Sequence, residues 1–130
     1  MARPTILCVD DDITILMSLK AQLKYSFDGR FHYELAQSAE EAWEVIADLE
    51  RRNEQLAVVI SDWLMPETRG DRFLIKVHES YPSVVKIMLT GHAEEEAITR
   101  AKEQAELAAC LSKPWQRDEL IQVISLALEA

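Results

Sequence analysis

The sequence predicts an α/β domain, a parallel sheet with helices on both faces. Three observations carry this. Apolar runs and amphipathic stretches alternate from one end of the chain to the other, as five βα units. Strands 1, 3, 4 and 5 read as nearly unbroken apolar runs, the pattern of strands covered on both faces. The 130 residues, 48% of them hydrophobic, suffice for one domain with a real core.

Thr5 to Val9 is the first strand. Asp12 stands as the N-cap of a helix in which Leu16, Leu19, Leu23 and Phe27 recur at helical spacing. Phe31, Tyr33 and Leu35 alternate like a half-buried strand. Ser38-Ala39-Glu40-Glu41 is a capping-box pattern, and Ala39, Ala42, Ile46 and Leu49 follow as an apolar stripe. Leu56 to Ile60 is the third strand. The third helix lies between Asp71 and Ser80 and stops before Tyr81-Pro82. Val84 to Leu89 is strand four, interrupted by Lys86. Glu94, Glu95 and Glu96 open the fourth helix, where negative charge suits the N-terminal dipole. Leu107 to Leu111 is strand five, and Leu120, Ile124 and Leu128 line the last helix.

Composition narrows the function. The formal net charge is -9, and no run of Lys or Arg forms a basic patch. Nucleic-acid binding by this domain is therefore not expected, because phosphate neutralisation needs clustered cations. No apolar stretch approaches the ~20 residues of a membrane span, and Met1-Ala2-Arg3-Pro4 leads straight into a strand without a signal peptide. Cys8 and Cys110 sit in apolar runs and form no CxxC pair. They read as reduced, buried and cytoplasmic. No Gly-rich turn follows strand 1, which argues against a dinucleotide site. The domain is expected to span residues 1–130 and to belong to a larger protein.

In doubly wound sheets the site lies at the carboxyl ends of the strands. Strand 1 runs into Asp10-Asp11-Asp12, strand 3 through Ser61 into Asp62, strand 4 into Thr90 and strand 5 through Ser112 into Lys113. Carboxylates, a hydroxyl and an ammonium thus converge on one edge. Neighbouring carboxylates repel, and a cation between them favours their ionised forms. Oxygen ligands without clustered His or Cys point to a hard ion, foremost Mg²⁺. A carboxylate beside such an ion is a competent phosphoryl acceptor. Each part has a plainer reading alone: helix capping for Asp10 to Asp12, a turn for Asp62 and Thr90, a solvated loop for Lys113. The joint arrangement outweighs them.

Val9-Asp10-Asp11-Asp12, Ile60-Ser61-Asp62-Trp63-Leu64-Met65-Pro66, Met88-Leu89-Thr90-Gly91 and Ser112-Lys113-Pro114-Trp115 together resemble the response-regulator receiver family over nearly the whole chain. The resemblance implies a flavodoxin-like sheet of order 2-1-3-4-5 and five helices. It implies that Asp62 takes a phosphoryl group from a histidine kinase or phosphotransfer protein. Asp11, Asp62 and the Leu64 backbone carbonyl would ligate Mg²⁺, with Asp10 helping through water, and Thr90 and Lys113 would bind the phosphoryl oxygens. Leu64 and His92, two residues past Asp62 and Thr90, would flank the approach of hydrolytic water. The output surface would be helix 4, strand 5 and the last helix, doubling as a homodimer face.

The chain departs from that pattern at Cys110. The position three before the motif lysine usually holds Tyr or Phe, which turns inward on activation, and a thiol cannot reproduce this. Two rivals bear on the reading. Asp10-Asp11-Asp12-Ile13-Thr14 also fits the DxDxT motif of haloacid-dehalogenase-like phosphatases, with Asp10 as nucleophile, although only Asp118 and Glu119 follow Lys113 closely as an acidic pair. The other rival is a pseudo-receiver that only binds a protein.

Overall fold

The computed structural model describes residues 3–91 and 94–129. His92 lies outside them. The elements are β1 (Thr5–Val9), α1 (Ile13–Phe27), β2 (His32–Ala36), α2 (Ala39–Arg51), β3 (Leu56–Asp62), α3 (Gly70–Ser80), β4 (Val85–Thr90), α4 (Glu95–Gln104), β5 (Ala109–Ser112) and α5 (Arg117–Glu129), with a short 3₁₀ turn at Asp28–Arg30. The five strands are parallel, in the order β2-β1-β3-β4-β5. This is the flavodoxin-like order that the resemblance implies.

The strand period of two divides the core. Ile6 and Cys8 of β1, with Ile60 and Ile87, face α1 and α5 through Leu16, Leu19, Leu23, Leu120 and Ile124. Leu7 and Val9, with Val59 and Met88, face α2, α3 and α4 through Ala42, Ile46, Phe73, Val77 and Ala101. Leu16, Leu19 and Leu23 are at most 1% exposed, and each such side chain contributes about 2 kcal/mol by leaving water. The α1 stripe therefore fixes that helix on the sheet. Trp43 of α2 packs edge-on against Phe73 of α3, ring centroids 5.4 Å apart. Trp115 donates its indole N–H to Gln22 of α1 at 2.7 Å.

Local signals act mostly as expected. The Asp12 carboxylate accepts from Thr14 N at 2.9 Å and caps α1. Ser38 Oγ accepts from Glu41 N at 3.0 Å, but Glu41 Oε2 accepts from Gln37 N and not from Ser38. The box is thus shifted by one residue at its return bond. β5 starts at Ala109, not Leu107. Glu106 takes φ 50° to turn the chain out of α4, which uses Leu107 and Ala108 as connection. Leu107 then packs on the core from a loop. Cys110 is only half-buried, because β5 is an edge strand. Lys86 is 2% exposed. It donates to Val84 O at 2.7 Å and Pro82 O at 3.4 Å. Burial pulls its ammonium below the ordinary lysine range, against the opposing charge of Glu106. No helix among the described residues is long and apolar enough to cross a membrane.

Candidate functional site

Parallel strands all end at one edge, so the polar residues that follow them meet there. Asp10 follows β1, Asp62 ends β3, Thr90 ends β4, and Lys113 follows β5. They line one cavity of about 620 Å³ with Asp11, Leu64 and Gly91. Carboxylate oxygens of Asp10, Asp11 and Asp62 lie within 4.8 Å of one another. Lys113 Nζ donates to Asp10 Oδ2 at 2.8 Å and pairs with Asp62 Oδ1 at 2.9 Å. The backbone holds this together, because Lys113 N donates to Thr90 O at 2.9 Å and Trp63 N to Leu89 O at 3.0 Å.

The carboxylates differ in what surrounds them. Asp10 is 1% exposed, and its Oδ1 accepts from Asp12 N at 2.9 Å while Oδ2 holds Lys113. Both oxygens are engaged, so Asp10 is a poor nucleophile. Asp11 is exposed on the cavity rim. Asp62 sits on the cavity floor, 7% exposed. Burial, with Asp10 and Asp11 adding to it, raises the Asp62 carboxyl above its ordinary value, while Lys113 works against them. Burial alone would pull Lys113 down, but the Asp10 and Asp62 carboxylates outweigh it and hold the ammonium above its ordinary value. Three carboxylates around one ammonium leave an excess of negative charge. A hard cation relieves that excess, and oxygen donors of this kind suit it.

The structure brings Asp10, Asp11, Asp62, Thr90 and Lys113 together, with Leu64 at the mouth, 60% exposed. Cys110 is not among the cavity's lining residues. Sequence reasoning missed Gly70. A Cβ there would collide with the Asp62 carbonyl oxygen and lie 2.9 Å from Trp63 Cα. Gly70 N also donates to Trp63 O at 2.7 Å. The β3–α3 loop thus folds back tightly on the end of β3. The signal was available, since Gly70 directly precedes the predicted third helix.

The sequence matches the response regulator receiver domain over residues 6–125. The chain belongs to the response-regulator receiver family. It is 30% identical over 98% of its length to the hydrogenase transcriptional regulatory protein HoxA of Cupriavidus necator, of which it spans a quarter (25%). Among solved structures it resembles the signal receiver domain of an HD domain-containing protein from Pseudomonas fluorescens Pf-5, at 32% identity and TM-score 0.86, covering 98% of this chain and 95% of that one. It also resembles the beryllofluoride-activated NtrC4 receiver domain dimer, at 28% identity and TM-score 0.81, covering 96% of each. Receiver membership and the engagement of both Asp10 oxygens set aside the phosphatase reading.

Proposed function

We propose that this receiver domain accepts a phosphoryl group on Asp62 from the phosphohistidine of a histidine kinase or phosphotransfer protein. The observation that carries the reading is the meeting of the Asp10, Asp11 and Asp62 oxygens within 4.8 Å, with Lys113 Nζ 2.9 Å from Asp62. An Asp62 carboxylate oxygen attacks phosphorus as the P–N bond to the donor imidazole breaks, and the imidazole leaves with the bonding pair and takes up a proton. Asp11, Asp62 and the Leu64 carbonyl would hold Mg²⁺, with Asp10 reaching it through water. Bound there, the ion offsets the charge of the carboxylates and of the incoming phosphoryl oxygens. Lys113 pairs with a phosphoryl oxygen as a point charge, and the Thr90 hydroxyl donates to another. The chain assists its own modification and its loss, and turns over no separate substrate. Free cysteines fit a cytoplasmic setting.

Treatment with acetyl phosphate and Mg²⁺ tests this reading. Intact mass should rise by one phosphoryl group in the parent protein and stay unchanged in Asp62→Asn. Equal modification of both would place the acceptor elsewhere. Asp11→Ala should lose the Mg²⁺-dependent change in Trp63 fluorescence.

A further inference from the structure

β2 is an open edge of the sheet and pairs with β1 alone. Every residue of β1 is buried, whereas His32 is exposed and Tyr33, Glu34 and Leu35 are half-buried. Backbone groups turn to alternate sides along a strand. His32 N donates to Pro4 O and Ala36 O accepts from Asp10 N, so these residues turn their backbone toward β1. By alternation, Tyr33 and Leu35 turn their N–H and C=O outward. The next outward N–H, that of Gln37, is already taken by Glu41 Oε2 at 2.9 Å. An edge with outward donors and acceptors is a template for one more strand.

The two sides of this edge carry opposite charge. On the α1 side, Arg3, Lys20, Lys24 and Tyr33 line a hollow of about 340 Å³, and Asp28 is the only carboxylate among its lining residues. Lys20 and Lys24 stand one helical turn apart on α1. Among the described residues, none of these three cations forms an ion pair, and Arg3 donates to Gly29 O at 3.1 Å. On the α2 side, Glu34, Glu41, Glu44 and Asp48 line a second hollow. Asp48 there pairs with Arg51 and Arg52, and Glu41 holds Gln37 N. Glu34 and Glu44 form no ion pair among the described residues.

We propose that the β2 edge takes an extended segment of another protein in which acidic and basic residues alternate. Side chains of an added strand point to the two faces of the sheet in turn. Its acidic residues then meet Lys20 and Lys24, its basic residues meet Glu34 and Glu44, and its backbone bonds to Tyr33 and Leu35. A second copy of this chain does not fit. Two equal edge strands close antiparallel about a two-fold axis normal to the sheet. That axis leaves like faces side by side, with Lys20 and Lys24 against their own counterparts. A nucleic acid does not fit either, because its phosphates would lie along Glu34 and Glu44. Exposed ion pairs are weak one by one, so backbone bonds supply affinity and the charges supply register and choice of partner. The two hollows share no lining residue with the Asp62 cavity, and the proposal does not depend on phosphorylation.

Two short synthetic peptides of equal length test this, one alternating Glu and Lys, the other in the block order Glu-Glu-Lys-Lys. They share composition and net charge, and only the first sorts its charges by face. Both are titrated into the whole chain at low salt, and amide hydrogen exchange is read from ¹H–¹⁵N spectra. The alternating peptide should slow exchange at Tyr33 and Leu35 and bind about tenfold more tightly than the block peptide. Added salt should weaken it. Lys20→Glu with Lys24→Glu should abolish its binding. If that double variant does not fold, Lys24→Glu alone, at an exposed position, serves the same arm. Equal binding of the two peptides overturns the proposal, as does no binding of the alternating peptide at millimolar concentration. Binding that leaves the Tyr33 and Leu35 amides unprotected, or that survives the charge reversal, also overturns it. Protection of those amides by rising protein concentration alone would put a second copy on the edge and overturn the assigned partner.

Discussion

Single residues decide how long a phosphoryl group would last on this domain. Hydrolysis of an aspartyl phosphate needs a water in line with phosphorus. Leu64 stands at the mouth of the cavity and offers that water no side-chain hydrogen bond. Leu64→Asn is therefore expected to speed loss of phosphate about tenfold, which takes only about 1.4 kcal/mol. Phosphate release from pre-phosphorylated protein, with Mg²⁺ present, measures it; an equal or slower rate would show that Leu64 is not the shield. Gly70 works on the same scale. Its absent Cβ is what lets the loop lie against the Asp62 carbonyl. Gly70→Ala should cost about 2–3 kcal/mol through forced backbone shifts and lower the rate of phosphorylation by acetyl phosphate together with the melting temperature. A variant that melts like the parent would mean that the loop can move aside.

The elements carry features that do not serve the site directly. β4 buries Lys86 in a strand that is otherwise apolar or hydroxylic. Its ammonium has two carbonyl acceptors for three donors, and burial lowers its pKa from 10.5. A cation with a depressed folded pKa costs stability in full below that pKa, and the cost fades as pH rises from the folded value toward the unfolded one. Lys86→Met should therefore stabilise the fold by about 1 kcal/mol near neutral pH, with a smaller gain at alkaline pH. Urea unfolding at two pH values reads the difference; a gain that grows with pH would reverse the sign and the explanation. α1 shows the opposite economy. Asp12 caps it, while Asp11 and Asp10, one and two residues earlier, join Asp62 in the carboxylate cluster. One acidic run serves both a helix start and the carboxylate cluster at the strand ends.

At the scale of the whole molecule, strand order sets what can meet. Cys8 on β1 and Cys110 on β5 are separated by β3 and β4, three strand spacings or about 14 Å, beyond the Cα reach of about 7 Å for a disulfide. Both are free, and burial pushes the Cys8 thiol up to about 12. The edge strand β5, with α4 on one face of the sheet and α5 on the other, is a dimer face in our reading. Beryllofluoride with Mg²⁺ should shift the protein to the dimer volume in size-exclusion chromatography, and Cys110→Phe should change how much dimer forms. An elution volume that stays monomeric in both proteins would remove this face as the output. The fold also gathers charge that the sequence scatters. Arg3, Lys20, Lys24 and His32 line one hollow beside the start of β2 in a chain of net charge -9.

The sequence by itself determined the five βα units, the core stripes and the strand ends that carry Asp10, Asp62, Thr90 and Lys113. Those are local properties: period, capping and the polarity that follows an apolar run. It also placed β5 two residues early, because apolar Leu107 looks the same in a strand as in a loop that packs on the core. The tertiary structure alone decided which Asp faces the cavity with a reachable oxygen and which is spent on Lys113 and Asp12 N–H. It alone paired Asp71 with Arg100, 29 residues away, and left Trp63 Nε1 buried without a partner among the described residues. The reason is that pairing depends on distances set by packing, and residues far apart in the chain carry no record of one another in local pattern.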